Sequence, residues 1–310
     1  MVLAAIAYGA FLYLTARTPV PDASAYALDF KEIRRLASSI PGEKPLRVEH
    51  QPVAEGSLPR GAVFAGESLT EPLPNVHGSY RVVSADGSFG VIDSAFDRPA
   101  FEKMNPGGPY SNEGYAKVQR ALADAKWIVI THEHADHIGG IARFEDPKQL
   151  VGRLQLTREQ LGNDEALEFV AFPPELRAAL EPLAYGAYHA IAPGVVLVKA
   201  PGHTPGTQMI FVQLADGKEL LFLGDVAWHM DQVRELWYRP RLVTDFFLGE
   251  NRAQVLDQFR TLHDLAEHEP SVTLVSSHDR NQRKDLVAKG VLGDGFQLPP
   301  PELMDYGIIE

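Results

Sequence analysis

The sequence predicts a layered α/β protein, and three observations support this fold class. Short apolar segments with strand character alternate along the chain with amphipathic helical segments, an order that is typical of layered α/β proteins. Several of these apolar segments end in a polar residue that is able to bind a metal. The chain has 310 residues, 45% of them hydrophobic, which is enough for one large core or two small ones.

The N-terminal segment is apolar, because residues 2–14 carry no charge and the first charged residue is Arg17. This run is shorter than the roughly 20 residues of a membrane-spanning helix. It resembles the apolar part of a signal peptide, with residues 23–25 as a small-residue cleavage site. Residues 1–25 are therefore predicted to be a signal or membrane-anchor segment of an exported or cell-envelope protein. The alternative is a buried N-terminal helix in a cytoplasmic protein.

Secondary structure is predicted in order along the first half of the chain. Residues 18–78 are rich in proline and glycine and contain one helical stretch near 30–38. A hairpin is predicted over 80–93, because apolar strands flank a turn at Asp86-Gly87. Apolar residues at three- and four-residue spacing then predict a helix over roughly 113–125.

The second half continues the alternation after the apolar strand predicted at 127–130. Residues 141–192 mix short helical pieces with prolines, and no chemistry is assigned to them. Beyond them the apolar pattern predicts strands at 195–199, 208–214, 219–223 and 272–275, and a helix at about 252–267.

The residues 132–137, HEHADH, carry the strongest functional signal, with three imidazoles and the carboxylate of Asp136 as candidate ligands. His132 and His134 are two residues apart, so they face the same side of a strand end or an extended loop. Asp136 and His137 lie just beyond, at a predicted helix start, and reach a second point in space. One loop can therefore serve two ions, and these ligands suit zinc and other divalent transition metals.

The composition excludes several classes of function. The net charge of −12 argues against binding of nucleic acid, which requires a basic surface. The chain has no cysteine, so disulfides, thiolate ligands and a cysteine nucleophile are excluded. Any transition metal must be held by histidine and carboxylate.

Four further polar residues follow predicted strands: Asp93, His203, Asp225 and His278. Together with the 132–137 run, they resemble the five motifs of the metallo-β-lactamase superfamily of hydrolases, in the same order, over roughly residues 60 to 280. The resemblance implies an αββα four-layer sandwich of two mixed sheets flanked by helices. A single domain of this fold is predicted over residues 26–310.

The resemblance also implies roles for individual residues. Asp93 would orient the metal loop through hydrogen bonds. Asp136 would be a ligand; as a carboxylate near bound water it is also expected to accept or pass on a proton, with a role as ligand alone as the alternative. The implied ligands are His132, His134 and His203 for the first metal, Asp136, His137 and His278 for the second, and Asp225 as a bridge between them.

Details of the motifs distinguish branches of the superfamily. True β-lactamases generally lack the bridging carboxylate that Asp225 supplies, and flavodiiron oxidoreductases carry a glutamate where this chain has His134. The loop at 201–208 is similar to that of acyl-homoserine lactonases and of glyoxalase II. The chain departs from those lactonases at Trp228, because they carry a tyrosine at this position.

The expected function is a dinuclear metal-dependent hydrolase that uses a bridging hydroxide on an ester, lactone or thioester. Two zinc ions are expected, with manganese or iron as alternatives. The substrate is expected to be a small molecule, and a homodimer is possible. Three alternatives remain: a phosphoester hydrolase, for which a pocket lined by residues such as Arg234, Arg239, Arg241 and Arg280 would be needed; a mononuclear iron persulfide dioxygenase; and a non-catalytic, metal-stabilised binding module.

The stretch 228–250 is rich in aromatic residues and follows Asp225, so it is predicted to wall an apolar substrate pocket. The alternative is core or dimer packing, in which aromatic residues are equally common. The predicted wall consists of Trp228, Trp237, Tyr238, Phe246 and Phe247. The histidines outside the motifs are predicted to be ordinary core or surface residues: His50, His77, His189, His229, His263 and His268.

Overall fold

The computed structural model describes residues 2–298, and within this range it contains two β-sheets. The predicted domain ends at 310, so its last residues, 299–310, lie outside the described residues. The first sheet has six strands in the spatial order β11 (Gly293–Asp294), β1 (Arg47–Pro59), β2 (Pro72–Val83), β3 (Phe89–Ile92), β4 (Ile128–Val129) and β5 (Leu154–Gln155).

The second sheet has five strands, and both sheets are mixed. In the first sheet β3, β4 and β5 run parallel, whereas β1, β2 and β3 pair antiparallel. In the second sheet the strands β9 (Glu219–Phe222) and β10 (Val272–Val275) are parallel, and the other neighbouring pairs are antiparallel. The spatial order of the second sheet is β10 (Val272–Val275), β9 (Glu219–Phe222), β8 (Gln208–Gln213), β7 (Val195–Lys199) and β6 (Tyr188–Ala192).

Helices lie on the outer faces of both sheets. Short 3₁₀ helices at Pro147–Leu150 and Gly224–Val226, and a π-helical turn at Thr244–Leu248, join some of them. The α-helices are α1 (Val2–Thr15), α2 (Phe30–Ala37), α3 (Arg60–Val63), α4 (Arg98–Met104), α5 (Asn112–Asp124), α6 (Ala135–Ala142), α7 (Arg158–Leu161), α8 (Asp164–Phe169), α9 (Pro174–Ala179), α10 (Met230–Arg234), α11 (Arg241–Val243), α12 (Arg252–His268) and α13 (Arg280–Ala288).

Alternation of side chains along the strands builds three apolar layers. On β7, Leu197 points into the core between the two sheets, where it joins Val82 and Ile92 of the first sheet. Its neighbour Val198 points the other way and packs with residues of α12 such as Phe259. A third cluster lies between the first sheet and helices α4 to α6. The predicted αββα sandwich is therefore confirmed.

The main strand that the sequence did not indicate is β1, which lies within the stretch 18–78. It contains Pro52 and a register shift between Pro52 and Ala54, and it buries polar residues. Glu49 is buried on β1 because it pairs with Arg81 of the adjacent strand β2, at 2.6 Å. Polar residues that are paired across strands hide the apolar alternation by which a strand is ordinarily predicted.

The apolar N-terminal segment forms α1, and its side chains from residue 4 to residue 13 are exposed. The structure therefore contradicts the alternative of a buried N-terminal helix. Among residues 2–298, none of the helices combines the length and the apolar character that crossing a bilayer requires. The assignment of residues 1–25 as a signal or anchor segment stays a prediction.

Candidate metal centre

The predicted site residues follow the carboxyl ends of strands. Strands β3 and β4 are parallel neighbours, so Asp93 and His132 emerge at the same edge of the first sheet. In the second sheet, Asp225 follows β9 and His278 follows the parallel strand β10. His203 follows β7, which runs in the same direction as β9 because each is antiparallel to β8. The topology therefore gathers residues that are distant in sequence.

Asp93 holds the loop that follows β4. Its Oδ1 accepts a hydrogen bond from the backbone N–H of Thr131 at 2.7 Å, and its Oδ2 lies 2.9 Å from Nδ1 of His137. Asp93 itself has φ of 59°, a left-handed conformation that is uncommon for any residue other than glycine. The carboxylate thus fixes both the start of the loop and the orientation of one imidazole, in line with the role that the resemblance implies.

The first donor group consists of the side chains of His132, His134, His203 and Asp225, whose ligand atoms all lie within 4.8 Å of one another. Nδ1 of His134 is 3.1 Å from Nε2 of His132 and 3.0 Å from Nε2 of His203. Oδ2 of Asp225 is 3.4 Å from Nε2 of His203. Ligands about 2.1 Å from a tetrahedral zinc ion are separated by roughly 3.4 Å, so the group fits such an ion.

The second donor group consists of Asp136, His137, Asp225 and His278, and its ligand atoms also lie within 4.8 Å of one another. Oδ1 of Asp225 is 3.0 Å from Nε2 of His278 and 3.3 Å from Nε2 of His137. Oδ2 of Asp136 is 3.2 Å from Nε2 of His278. All seven predicted ligands are thus brought together, and Asp225 faces both groups with different oxygens.

Two atoms of the second group support occupation by a cation. Nε2 of His137 and Oδ1 of Asp225 are buried and lack a hydrogen-bond partner among the described residues. Buried polar atoms are ordinarily satisfied, and those left unpaired require an explanation such as an ion or a water. A divalent cation between them would satisfy both atoms, so the donor set fits the metal that the motifs imply.

The protonation states of the first group also suit metal binding. Burial lowers the pKa of His132 well below its usual value, and the neighbouring imidazole of His137 lowers it further. Burial lowers the pKa of His134 to about 4, with an added effect of His203. These rings are therefore neutral at pH 7, and the neutral imidazole nitrogen is the form that binds a metal.

The second group is dominated by its carboxylates. Burial would raise the pKa of Asp136, but the facing rings of His137, His278 and His77 together outweigh burial and hold this pKa well below its usual range. Burial would lower the pKa of His278, but Asp225 and Asp136 outweigh it and raise the pKa to about 10. The carboxylates therefore stabilise positive charge on the imidazoles of this group, and a divalent cation would supply that charge in place of the protons.

A glycine next to His203 allows its loop to pass close to α12. Gly202 has φ of 152°, and a Cβ atom at this position would lie 2.9 Å from Cγ2 of Val255. The N–H of Asn251 donates a hydrogen bond to the carbonyl of Gly202 at 2.8 Å. The loop is thus held against the N-terminus of α12, with His203 directed at the centre.

Glu250 is a functional residue that the sequence did not indicate. It is buried, and its Oε1 lies 2.6 Å from Nδ1 of His203 and 2.6 Å from Nη2 of Arg239. The phenol of Tyr238 donates a hydrogen bond to its Oε2. A carboxylate on the outer nitrogen of a metal-binding imidazole fixes the ring and strengthens it as a ligand.

His77 was predicted to be an ordinary histidine, and the structure corrects this interpretation. It lies on β2, and its Nδ1 is 3.1 Å from Oδ2 of Asp136. Its ring packs on His278 with centroids 4.5 Å apart, and its Nε2 is buried without a hydrogen-bond partner among the described residues. His77 reaches the site because β2 pairs with β3. The sequence did not predict a strand at residue 77, so this role was not recognised.

A cleft of about 1070 Å³ opens over both donor groups. Three of the five predicted wall residues line it, namely Trp228, Phe246 and Phe247. The indole N–H of Trp228 donates a hydrogen bond to Oδ2 of Asp225 at 2.7 Å, so this side chain also contacts the predicted bridging carboxylate.

Two predicted wall residues, Trp237 and Tyr238, do not line the cleft, and that part of the prediction is wrong. Tyr238 is fully buried because its ring packs edge-on against Phe259 of α12. The indole N–H of Trp237 donates a hydrogen bond to the carbonyl of Ala65, and Arg17 lies over its ring. Both residues therefore join neighbouring segments behind the cleft, as in the packing alternative.

Similarity to known proteins identifies the family to which this chain belongs. The family model described as metallo-beta-lactamase superfamily matches residues 75–280. A probable metallo-hydrolase of Mycobacterium tuberculosis is 30% identical over 280 residues, which cover 79% of this chain and 86% of that protein. With the donor groups described above, these matches define a metal-dependent hydrolase. The chain belongs to the metallo-β-lactamase superfamily.

Lactonases are among the similar proteins. The N-acyl homoserine lactonase AttM of Agrobacterium fabrum is 27% identical over 165 residues, which cover 51% of this chain and 59% of that protein. A crystal structure of an N-acyl homoserine lactone hydrolase with N-hexanoyl-L-homoserine at its catalytic metal centre has a TM-score of 0.61 at 16% identity, covering 78% of this chain and 96% of that chain. A dizinc quorum-quenching lactonase has a TM-score of 0.52 at 15% identity, covering 76% and 88%. These structural likenesses show the shared fold.

Proposed function

We propose that this chain is a dinuclear metal-dependent hydrolase of esters, with lactones as the preferred substrate class. The observation that carries the proposal is the position of Asp225, whose two carboxylate oxygens face different donor groups. A carboxylate shared in this way supports two ions side by side, as in two-metal hydrolytic sites. Lactonases among the relatives favour the lactone over other esters.

Two bound divalent ions, proposed to be zinc, would supply a shared hydroxide at neutral pH, because metal binding lowers the pKa of water to about 7. The chain's own residues orient this chemistry. Asp225 sets the spacing of the two groups, and Glu250 and Asp93 hold the rings of His203 and His137. Asp136 is proposed to accept the remaining proton of the attacking hydroxide and to pass it to the leaving alkoxide, which gives a carboxylate and an alcohol.

His77 restricts how Asp136 moves. The contact at 3.1 Å between Nδ1 of His77 and Oδ2 of Asp136 holds the carboxylate toward the cleft. The ring of His77 lines the cleft, whereas its Nε2 is buried and has no hydrogen-bond partner among the described residues. Trp228 stands where the lactonases have a tyrosine. Its indole N–H already donates a hydrogen bond to Asp225.

The lining of the cleft favours a neutral substrate over a phosphoester. None of the described residues that line it is lysine or arginine, whereas four acidic residues away from the donor groups do line it. The arginines that a phosphoester pocket would need therefore lie elsewhere, and Arg239 is buried against Glu250. The acidic residues of the lining are Glu159, Asp164, Glu165 and Asp245.

The proposal is tested with purified protein loaded in turn with zinc, manganese or iron. Each form is assayed against lactones, thioesters, aryl esters, phosphodiesters, β-lactams and persulfides, and its metal content is measured. We expect about two zinc ions per chain and the highest kcat/KM on a lactone. One iron per chain with persulfide oxidation would contradict the proposal.

A pair of variants separates the metal centre from general damage to the protein. His134→Ala should lower kcat/KM by at least about a hundredfold, because it removes a ligand of the first group. His189→Ala is the matched control, since His189 lies on β6 and stacks on Tyr185, away from the donor groups. Full activity of His134→Ala would disprove the role of the centre.

A further inference from the structure

Helix α1 exposes apolar side chains around its whole circumference. Ten consecutive residues, 4–13, are exposed, and this span turns about 2.8 times around the helix axis. The large side chains among them are Ile6, Tyr8, Phe11, Leu12 and Tyr13, each at least 46% exposed. A surface helix of a soluble domain has a polar face, whereas a helix that is apolar on all sides belongs in an apolar environment.

This distribution identifies the kind of partner. A second protein surface, or a second copy of this chain, covers one face of a helix and would leave the opposite apolar face in water. Lipid surrounds a helix on every side that is not in contact with its own protein. The arrangement of α1 therefore fits insertion into the apolar layer of a bilayer leaflet, at whose boundary tyrosine side chains are also favoured.

The helix is joined to the segment that borders the cleft. It contacts α11, where the guanidinium of Arg241 lies 4.8 Å from the centre of the Tyr13 ring. Arg241 pairs with Asp245 in the π-helical turn at 3.4 Å. The next residues, Phe246 and Phe247, line the cleft and are 68% and 78% exposed. Contacts therefore run from α1 to the rim of the cleft.

The rim includes a set of exposed apolar side chains. Besides the two phenylalanines, the exposed side chains of Met104 and Phe169 line the cleft. Of the twelve large hydrophobic side chains exposed in the described part of the chain, nine belong either to α1 or to this rim. Exposed apolar surface that is concentrated in this way marks an interaction site.

We infer that α1 and the adjacent Phe246–Phe247 pair dock on a lipid bilayer and hold the mouth of the cleft at the membrane surface. The attraction is apolar, since the chain has a net charge of −12 and gains nothing from anionic lipid. If the proposed hydrolase function also holds, the preferred substrates carry a long acyl chain that is dissolved in the membrane.

Docking is tested with the full chain and large unilamellar vesicles of phosphatidylcholine, by co-sedimentation. The wild-type chain should sediment with the vesicles at both low and high salt. The double variant Ile6→Asp/Phe11→Asp should bind at least about tenfold more weakly. Leu46→Asp is the matched control, because Leu46 is similarly exposed, at 49%, but lies outside α1 and the cleft rim.

The position of the cleft mouth is tested separately. A Phe247→Trp variant should shift its fluorescence emission to shorter wavelength when vesicles are added, and a Leu46→Trp variant should not. Sedimentation and fluorescence do not require catalytic turnover, so membrane docking can be detected even if the protein lacks the proposed hydrolase activity. With a hydrolysable lactone, Ile6→Asp/Phe11→Asp should retain activity on a short, water-soluble substrate and lose activity on a long-chain lactone in vesicles.

Three results would overturn the inference. The first is an absence of sedimentation of the wild-type chain with phosphatidylcholine vesicles. The second is binding only to vesicles that contain phosphatidylglycerol, with loss of binding in salt, which would indicate electrostatic attraction. The third is a dimer without vesicles that Ile6→Asp/Phe11→Asp dissociates, because a second copy would then cover α1.

Discussion

At the scale of single residues, the centre depends on carboxylates that do not face the cleft. Glu250 contacts His203, Arg239 and Tyr238, and it is fully enclosed by them. The negative charge near Nδ1 of His203 favours a proton on that nitrogen, which leaves Nε2 free to bind a metal. A similar arrangement joins Asp93 to His137.

Substitution of Glu250→Gln retains an oxygen acceptor for His203 but removes the charge. We expect metal affinity to fall by about 10- to 100-fold, measured by competition with a chelator. The control is Glu49→Gln, because Glu49 is a buried carboxylate that pairs with a buried arginine, Arg81, outside the centre. Both variants should lose stability by about 3 kcal/mol. Equal metal affinity in the two variants would argue against a specific role for Glu250.

The sequence predicted the seven candidate ligands but not the residues that support them. Ligands in the 132–137 run are recognisable because short spacing puts donor atoms together. His77 and Glu250 have no such signal, since their contacts join residues 59 and 47 positions apart in sequence. The buried position of Tyr238 was equally hidden, because an aromatic residue near a site suits either a pocket or a core.

At the scale of elements, α6 carries two candidate ligands of the second group at its start and packs closely on the segment that follows β3. A Cβ atom added at Gly140 would lie 2.3 Å from the carbonyl oxygen of Ser94. The hydroxyl of Ser94 also accepts a hydrogen bond from the N–H of Ile141 at 3.1 Å. The position of α6 is therefore set by contact between backbones.

A Gly140→Ala substitution should push α6 away from this segment. We expect a loss of stability of about 1 to 3 kcal/mol, and weaker binding of the metal held by Asp136 and His137. The measurement is titration of the metal-free protein with zinc, in which the second equivalent should bind more weakly. Gly186→Ala is the control, because nothing lies within 4 Å of an added Cβ there. Unchanged binding of both equivalents would show that α6 adapts.

Helices and apolar strands were predicted well, and irregular strands were not. The helix expected near residues 252–267 is α12, and the strand expected at 272–275 is β10. Strand β1 was missed because its prolines, its bulge and its paired polar residues remove the alternation. The predicted strand at 127–130 forms ladder pairs only at Ile128 and Val129, because its end turns into the metal loop.

At the scale of the whole molecule, the two donor groups lie where the edges of the two sheets meet. The first sheet supplies the 132–137 loop, and the second supplies His203, Asp225 and His278. A metal at this position connects both halves of the sandwich. Its binding energy therefore adds to the stability of the entire fold.

Removal of metal should lower the melting temperature of the whole protein in one transition. Zinc at about 100 times its Kd should raise the melting temperature by roughly 5 to 10 °C relative to protein in chelator. Scanning calorimetry measures this shift, and His132→Ala should reduce it. Identical melting curves with zinc and with chelator would show that the centre contributes nothing to the fold.

The placement of one oxygen of Asp225 in each donor group has a consequence for how ions are acquired. Two ions that share a carboxylate alter each other's binding affinity. Thermodynamic linkage requires the first ion to change the affinity for the second by the same factor as the second changes the affinity for the first. A substitution at Asp225 therefore affects the binding of both ions, and a change that weakens the affinity for one ion also alters the affinity for the other.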